Sequence, residues 1–191
     1  IVNEGLAENF ATFLYGEDKA GPWVTKTDIE TLNEYIKPII RDGLNVQGLE
    51  NLNAYLEKHY NDDAIREELA DPNNIYHIIS YNGNPVGFSK IILNATEPGI
   101  MAKNVTKLDR IYLLKEFYGL KLGLELLNFN IRLARNNKQS GIWLYTWTGN
   151  KRAIDFYLKA GFTITGSHKF YVTETYYNLN HLMFLDLLLP A

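Results

Sequence analysis

Apolar residues along this chain follow two rhythms. Up to about position 70 they recur every three to four residues; afterwards they recur every second residue, with helical stretches between the later runs. Thr27-Asp28-Ile29-Glu30 forms a capping box, in which the Thr27 hydroxyl and the Glu30 carboxylate close a helix start. Ile29, Leu32, Ile36, Ile39 and Ile40 then repeat at helical spacing, interrupted near Pro38 and stopped at Gly43. Leu49, Leu52, Tyr55 and Leu56 form a second helical stripe. Asp62 or Asp63 opens a third, short helix through Ile65 and Leu69, which closes before Asp71-Pro72.

The change of period predicts a hairpin from Ile75 to Tyr81 and from Pro85 to Leu93. Its Asn82-Gly83 turn has the chemistry that right-twisted strands need. Ala95 to Thr106 reads as a loop and Leu108 to Leu114 as a strand. A helix follows from about Leu122 to Asn137, with Leu122, Leu126, Leu127, Ile131 and Ala134 on one face. Ile142 to Trp147 is apolar on both faces, as a covered central strand should be. Thr163 to Tyr171 and His181 to Leu189 complete an antiparallel pair. The expected fold class is α/β (α+β): one domain with a mixed central sheet of about six to seven strands flanked by helices. Residues 1–22 stand apart as an N-terminal extension. Leu6, Phe10, Phe13 and Leu14 give them a short apolar face that would dock either on the domain or on a second subunit, as in a homodimer.

Composition narrows the function. A chain of 191 residues, 46% hydrophobic, can bury one sizeable core. Its net charge of −3 leaves no basic excess for a nucleic-acid backbone. With no cysteine there is no disulfide framework, thiolate nucleophile or thiolate metal site. The four histidines, His59, His77, His168 and His181, lack zinc-ligand spacing, and no His-Glu-x-x-His pair is present, so no metal is expected. No apolar run approaches a membrane span, and residues 1–20 lack a basic start followed by a long apolar run. The expectation is a cytoplasmic protein without a membrane partner.

Candidate chemistry concentrates in two blocks. In the first, the strand Leu108 to Leu114 runs through Lys115-Glu116-Phe117 into Tyr118-Gly119-Leu120-Lys121-Leu122-Gly123 and then into a helix. A strand, a glycine-containing turn and a helix start aim backbone N–H groups and a positive dipole end at one point, which suits an anion and above all a phosphate. Lys121 stands where a φ above zero would cost a non-glycine residue on the order of 1 kcal/mol. The second block is Asn150-Lys151-Arg152-Ala153-Ile154-Asp155-Phe156-Tyr157-Leu158-Lys159-Ala160-Gly161-Phe162.

Taken in order, the two blocks resemble the GNAT superfamily of acyl-CoA-dependent N-acetyltransferases, and within it the PaiA-type spermidine/spermine N-acetyltransferases. The resemblance covers roughly residues 25 to 187. The second block matches the family's Asn-x-x-Ala-x-x-Phe-Tyr-x-x-x-Gly-Phe closely. The turn departs from its Gln/Arg-x-x-Gly-x-Gly/Ala, with Tyr118 and Lys121 in place of the first two residues, Gly123 in place, and Gly119 fitting an Arg-Gly variant. The resemblance implies that residues 23–191 are an acyl-CoA N-acyltransferase domain with acetyl-CoA as donor. Its pyrophosphate would sit on Tyr118, Gly119, Leu120, Lys121, Leu122 and Gly123, and its pantetheine beside Ile111, Tyr112 and Leu113. Asn150, Ala153 and Tyr157 would complete the donor site, although Asn150 also reads as a plain helix N-cap.

For the chemistry, the resemblance implies Tyr157 as the acid that protonates the departing thiolate, Asp109 as the base, and a backbone N–H near Leu113 for the oxyanion. Without the surrounding block Tyr157 would read as a core-edge tyrosine, and Asp109 serves equally well as a solvated strand-end acid. Glu116 is a weaker base candidate, and a water chain could replace either carboxylate. The segment Gly166-Ser167-His168-Lys169-Phe170 matches the polyamine branch, yet Glu174 is the one acid in the ten residues after it. A smaller, aromatic-lined amine site using Trp147, Tyr171, Tyr176 or Tyr177 fits at least as well as a polycation site; Glu174 would supply its charge, and His168 would line it or else reads as a surface histidine. The acceptor is then a small primary amine. The alternatives are a protein N-terminus, or a non-catalytic acyl-CoA sensor.

Overall fold

The computed structural model describes residues 62–171 and 177–188. The capping box at Thr27 to Glu30, the helical stripes before Asp62, the extension 1–22, and Glu174 and Tyr176 lie outside the described residues. Helix α1 spans Asp62–Ala70 and β1 spans Asn74–Tyr81. The Asn82-Gly83 turn holds φ values of 52° and 80°, as a two-residue hairpin requires, and returns the chain as β2, Asn84–Ile92. Strand β3 is Val105–Leu113 and leads through a 3₁₀ turn at Lys115–Phe117 into α2, Leu122–Asn136. Then follow β4 (Gly141–Trp147), α3 (Lys151–Lys159), β5 (Thr163–Tyr171) and β6 (Tyr177–Asp186).

Two boundaries differ from the sequence expectation. β3 begins at Val105, inside the stretch read as a loop, because Val105 and Thr106 are fully buried and pair with Gly141 and Ile142. β6 begins at Tyr177, four residues early, because Tyr177 to Asn180 find partners on β5 from Tyr171 to His168. That pairing was invisible in a segment rich in Asn and Tyr.

The six strands form one sheet in the order β1-β2-β3-β4-β6-β5. Every neighbouring pair is antiparallel except β3 with β4, which run parallel. That parallel pairing covers only Val105 to Lys107 against Gly141 to Trp143. Beyond it the strands diverge. The rest of β3 keeps only β2 as a strand partner and the rest of β4 keeps only β6, among the described residues. A wedge therefore opens in mid-sheet.

Helices α2 and α3 cover one face of the sheet. Ile91, Leu108, Ile142, Leu144 and Met183 from the sheet pack there with Leu127 and Ala134 of α2 and with Tyr157 of α3. Successive side chains alternate faces along a strand, so Trp143, Tyr145 and Trp147 look the other way. A buried hydrogen bond from Ser89 to Asn130 fixes α2 against β2.

Helix α1 is tied down by charge. Arg110 forms two bonds with Glu68, at 2.9 and 3.1 Å, and donates to the hydroxyl of Tyr76, which itself donates to Glu68. Lys90, only 4% exposed, reaches Glu68 at 2.9 Å and Asp109 at 3.3 Å. Compensation by two carboxylates makes a buried ammonium tolerable.

Candidate active site

One cavity of about 500 Å³ opens where β3 leaves β4. β3 contributes Ile111, Tyr112 and Leu113, and the turn and the start of α2 contribute Phe117, Tyr118, Gly119, Lys121, Leu122, Gly123 and Leu124. The opposite wall is α3, with Asn150, Arg152, Ala153, Phe156, Tyr157, Lys159 and Ala160. Eleven of the twelve residues expected at the donor site thus share one hollow. The exception is Leu120, which the bend turns outward to 41% exposure.

Backbone geometry explains the shape of the turn. Gly119 has φ +87° and Lys121, the N-cap of α2, has φ +61° and ψ 5°. The fourth position of the turn, where the family has glycine, is therefore left-handed, with lysine bearing the strain where glycine would not. A Cβ added at Gly119 or Gly123 would meet nothing within 4 Å, so the backbone there borders open space. No side chain caps α2 at Lys121. The unpaired N–H groups that every helix start carries belong here to residues lining the cavity.

Asn150 caps α3, its Oδ1 accepting from the N–H of Ala153 at 3.1 Å. The cap starts the helix at a fixed angle, which brings Tyr157, two turns on, to the cavity wall. Tyr157 is 7% exposed and packs edge-on against Phe156 and Phe162. Burial raises its phenol pKa, and the neighbouring Tyr112 raises it further, so its proton is held at neutral pH.

Asp109 is a correction. It does not line the cavity but sits in the charge cluster, 2.7 Å from Lys107, 3.3 Å from Lys90 and 3.6 Å from Arg110. Burial alone would raise its pKa; the three cations outweigh burial and hold it at about 2. A carboxylate so stabilised is a poor proton acceptor. Glu116 lies exposed in the 3₁₀ turn, away from the cavity. No carboxylate or imidazole lines the hollow among the described residues.

Sequence reasoning missed Arg152 and Lys159. The Arg152 guanidinium lies 3.7 Å over the ring of Tyr118, the residue that stands in place of the family's Gln/Arg. The signal available was the cation two residues after Asn150, but only the fold brings α3 across the turn. Trp147 and His168 lie on the opposite face of the sheet. His168 stacks on Tyr145 with centroids 4.5 Å apart, and a single register row joins Trp147, Asn180 and His168.

A family model for the acetyltransferase (GNAT) domain matches residues 72–164, which run from the start of β1 into β5. A second model, for a predicted Zn-dependent protease (DUF2268), matches residues 1–89. That stretch carries His59 and His77 without a His-Glu-x-x-His pair, and no group of three potential metal ligands occurs among the described residues. The chain is 30% identical over 121 residues to an N-acetyltransferase of the pepI 3′ region of Lactobacillus delbrueckii subsp. lactis, a match covering 63% of this chain and 70% of that protein. It is also 30% identical over 109 residues to YjfC of Bacillus subtilis, where the match takes in 57% of this chain but only about a third of the longer protein. Among solved structures, the PaiA N-acetyltransferase of Thermoplasma acidophilum in complex with coenzyme A superposes with TM-score 0.65 at 17% identity, covering 85% of this chain and 96% of that one. That likeness speaks for the fold. The sequence relationship across most of a curated N-acetyltransferase carries the further step: the chain belongs to the GNAT acetyltransferases.

Proposed function

We propose that the chain transfers the acetyl group of acetyl-CoA directly to a primary amine of a small molecule within a ternary complex. One observation carries the reading. The cavity combines a helix start and αL bend suited to phosphate, an open β3 edge, and a buried protonated phenol. The pyrophosphate would meet the bend at Tyr118 to Gly123, flanked by Arg152, Lys121 and Lys159. Pantetheine amides would pair with the β3 edge at Ile111 to Leu113, which β4 has left. Ala153 and Asn150 would bound the arm from α3.

The amine nitrogen then attacks the thioester carbonyl, and its oxygen gathers charge beside a backbone N–H near Leu113. The C–S bond breaks, the sulfur takes the proton of Tyr157, and the phenolate regains a proton from solvent. The amine's own proton leaves to water, since Asp109 is committed to its ion pairs.

Thiol release from acetyl-CoA across a panel of amines tests this. Tyr157→Phe is expected to lower kcat by about 10²-fold or more while acetyl-CoA binding persists. Binding of CoA without release for any amine, together with indifference to Tyr157→Phe, would overturn it.

A further inference from the structure

Strand β3 changes phase halfway along. Leu108, Ile111 and Leu113 all pack on the side of α2, yet in a regular strand residues three apart face opposite ways. The register shows where the extra residue enters. Lys90 of β2 pairs with Arg110 while Ile91 pairs with Leu108, so Asp109 has no partner of its own and forms a β-bulge. The bulge lies two residues beyond Lys107, the last position of β3 paired with β4. After it comes the free arm, Ile111 to Leu113, that borders the cavity. A slip of one residue here would turn Ile111 and Leu113 away from α2 and send Tyr112 toward it.

The bulge leaves Asp109 and Arg110 side by side, and an ion-pair cluster gathers around them. Asp109 reaches Lys107 at 2.7 Å, Lys90 at 3.3 Å and Arg110 at 3.6 Å. Arg110 and Lys90 both continue to Glu68 of α1, each at 2.9 Å. Lys90, Arg110, Asp109 and Glu68 are at most 25% exposed. With little water around them, a partner moved out of place leaves an uncompensated charge behind. Charge therefore fixes the geometry of the bulge as firmly as packing does.

We infer that Glu68, Lys90 and Arg110 are positioning residues for the acyl donor: around Asp109 they hold the bulge, and with it the phase of the β3 arm that meets the pantetheine. The inference rests on the proposed binding of the donor along Ile111 to Leu113, and it adds residues that do not line the cavity. It also makes α1 part of the donor site's support, because Glu68 ties that helix to the strand at its bulge.

The test is calorimetric titration of the purified full chain with acetyl-CoA and with ADP, which carries a diphosphate but no pantetheine arm. Glu68→Gln keeps the size of the side chain and removes its charge. It should weaken acetyl-CoA binding about tenfold, while the ADP affinity stays within about twofold of the wild type. Arg110→Leu should show the same split, and Arg110→Lys, which keeps the charge without the planar fork, should recover part of the loss. A general loosening of the fold would weaken both ligands together, so the split separates positioning from stability. If Arg110→Leu does not fold, the milder Glu68→Gln carries the comparison. Equal losses for both ligands, or unchanged acetyl-CoA affinity in Glu68→Gln, overturn the inference and leave the donor on β3. A wild type that binds acetyl-CoA no more tightly than ADP takes the pantetheine arm off β3, and the inference falls with that reading.

Discussion

Lys121, Asp109 and Arg152 show how much a single side chain's role depends on its neighbours. Lys121 holds a left-handed backbone at φ +61°. Lys121→Gly should therefore raise unfolding free energy by up to about 1 kcal/mol in thermal or denaturant melts. Asp109 compensates Lys90, which is almost wholly buried. Asp109→Asn should cost on the order of 2 kcal/mol of stability, moderated because Lys90 keeps Glu68. The acid limb of the kcat/KM profile should not move; a shift of that limb would restore Asp109 as the base. Arg152 sits over the ring of Tyr118. Arg152→Gln should weaken acetyl-CoA binding about tenfold and flatten its salt dependence, as read by calorimetry at two ionic strengths.

At the scale of elements, the wedge depends on how closely β2 holds the free arm of β3. Gly87 pairs with Leu113, and a Cβ there would sit 2.5 Å from the backbone oxygen of Tyr112. Backbone cannot yield as a flexible side chain can, so Gly87→Ala must push β3 toward the cavity. The expected result is a loss of about 1–3 kcal/mol in stability and weaker acetyl-CoA binding, although residue 87 does not line the hollow. Unaltered donor affinity in a destabilised Gly87→Ala protein would show that the β3 edge does not hold the donor. The Asn150 cap works in a similar way on α3, where it sets the entry of the helix that carries Tyr157.

For the molecule as a whole, the pH dependence of stability follows from two buried groups of opposite type. His77 packs edge-on against Phe129, its Nδ1 has no partner among the described residues, and burial lowers its pKa from 6.5 to about 4. The unfolded chain binds this proton first, so stability should fall as pH drops from 6.5 toward 4. Asp109, lowered from 3.8 to about 2, contributes stability above 3.8 that is lost as pH falls through 2. Denaturant midpoints across pH 7 to 4 should show the first decline, and His77→Phe should flatten it. A flat wild-type profile over that range would contradict the buried neutral histidine.

The sequence by itself determined the local pieces: the Asn82-Gly83 hairpin, helices α2 and α3, and the block from Asn150 to Phe162. These follow from period, capping and turn chemistry, which act over a few residues and are written in adjacent letters. Tertiary structure decided everything that depends on which strands stop pairing. Three paired positions between β3 and β4 opened the wedge, and strand partners drew Val105 and Tyr177 into the sheet. The charge cluster holds Asp109 away from the cavity, and the crossing of α3 over the turn brought Arg152 onto Tyr118. Charge pairing, burial and ring stacking join residues tens of positions apart, and their outcome is fixed only when the sheet closes around them.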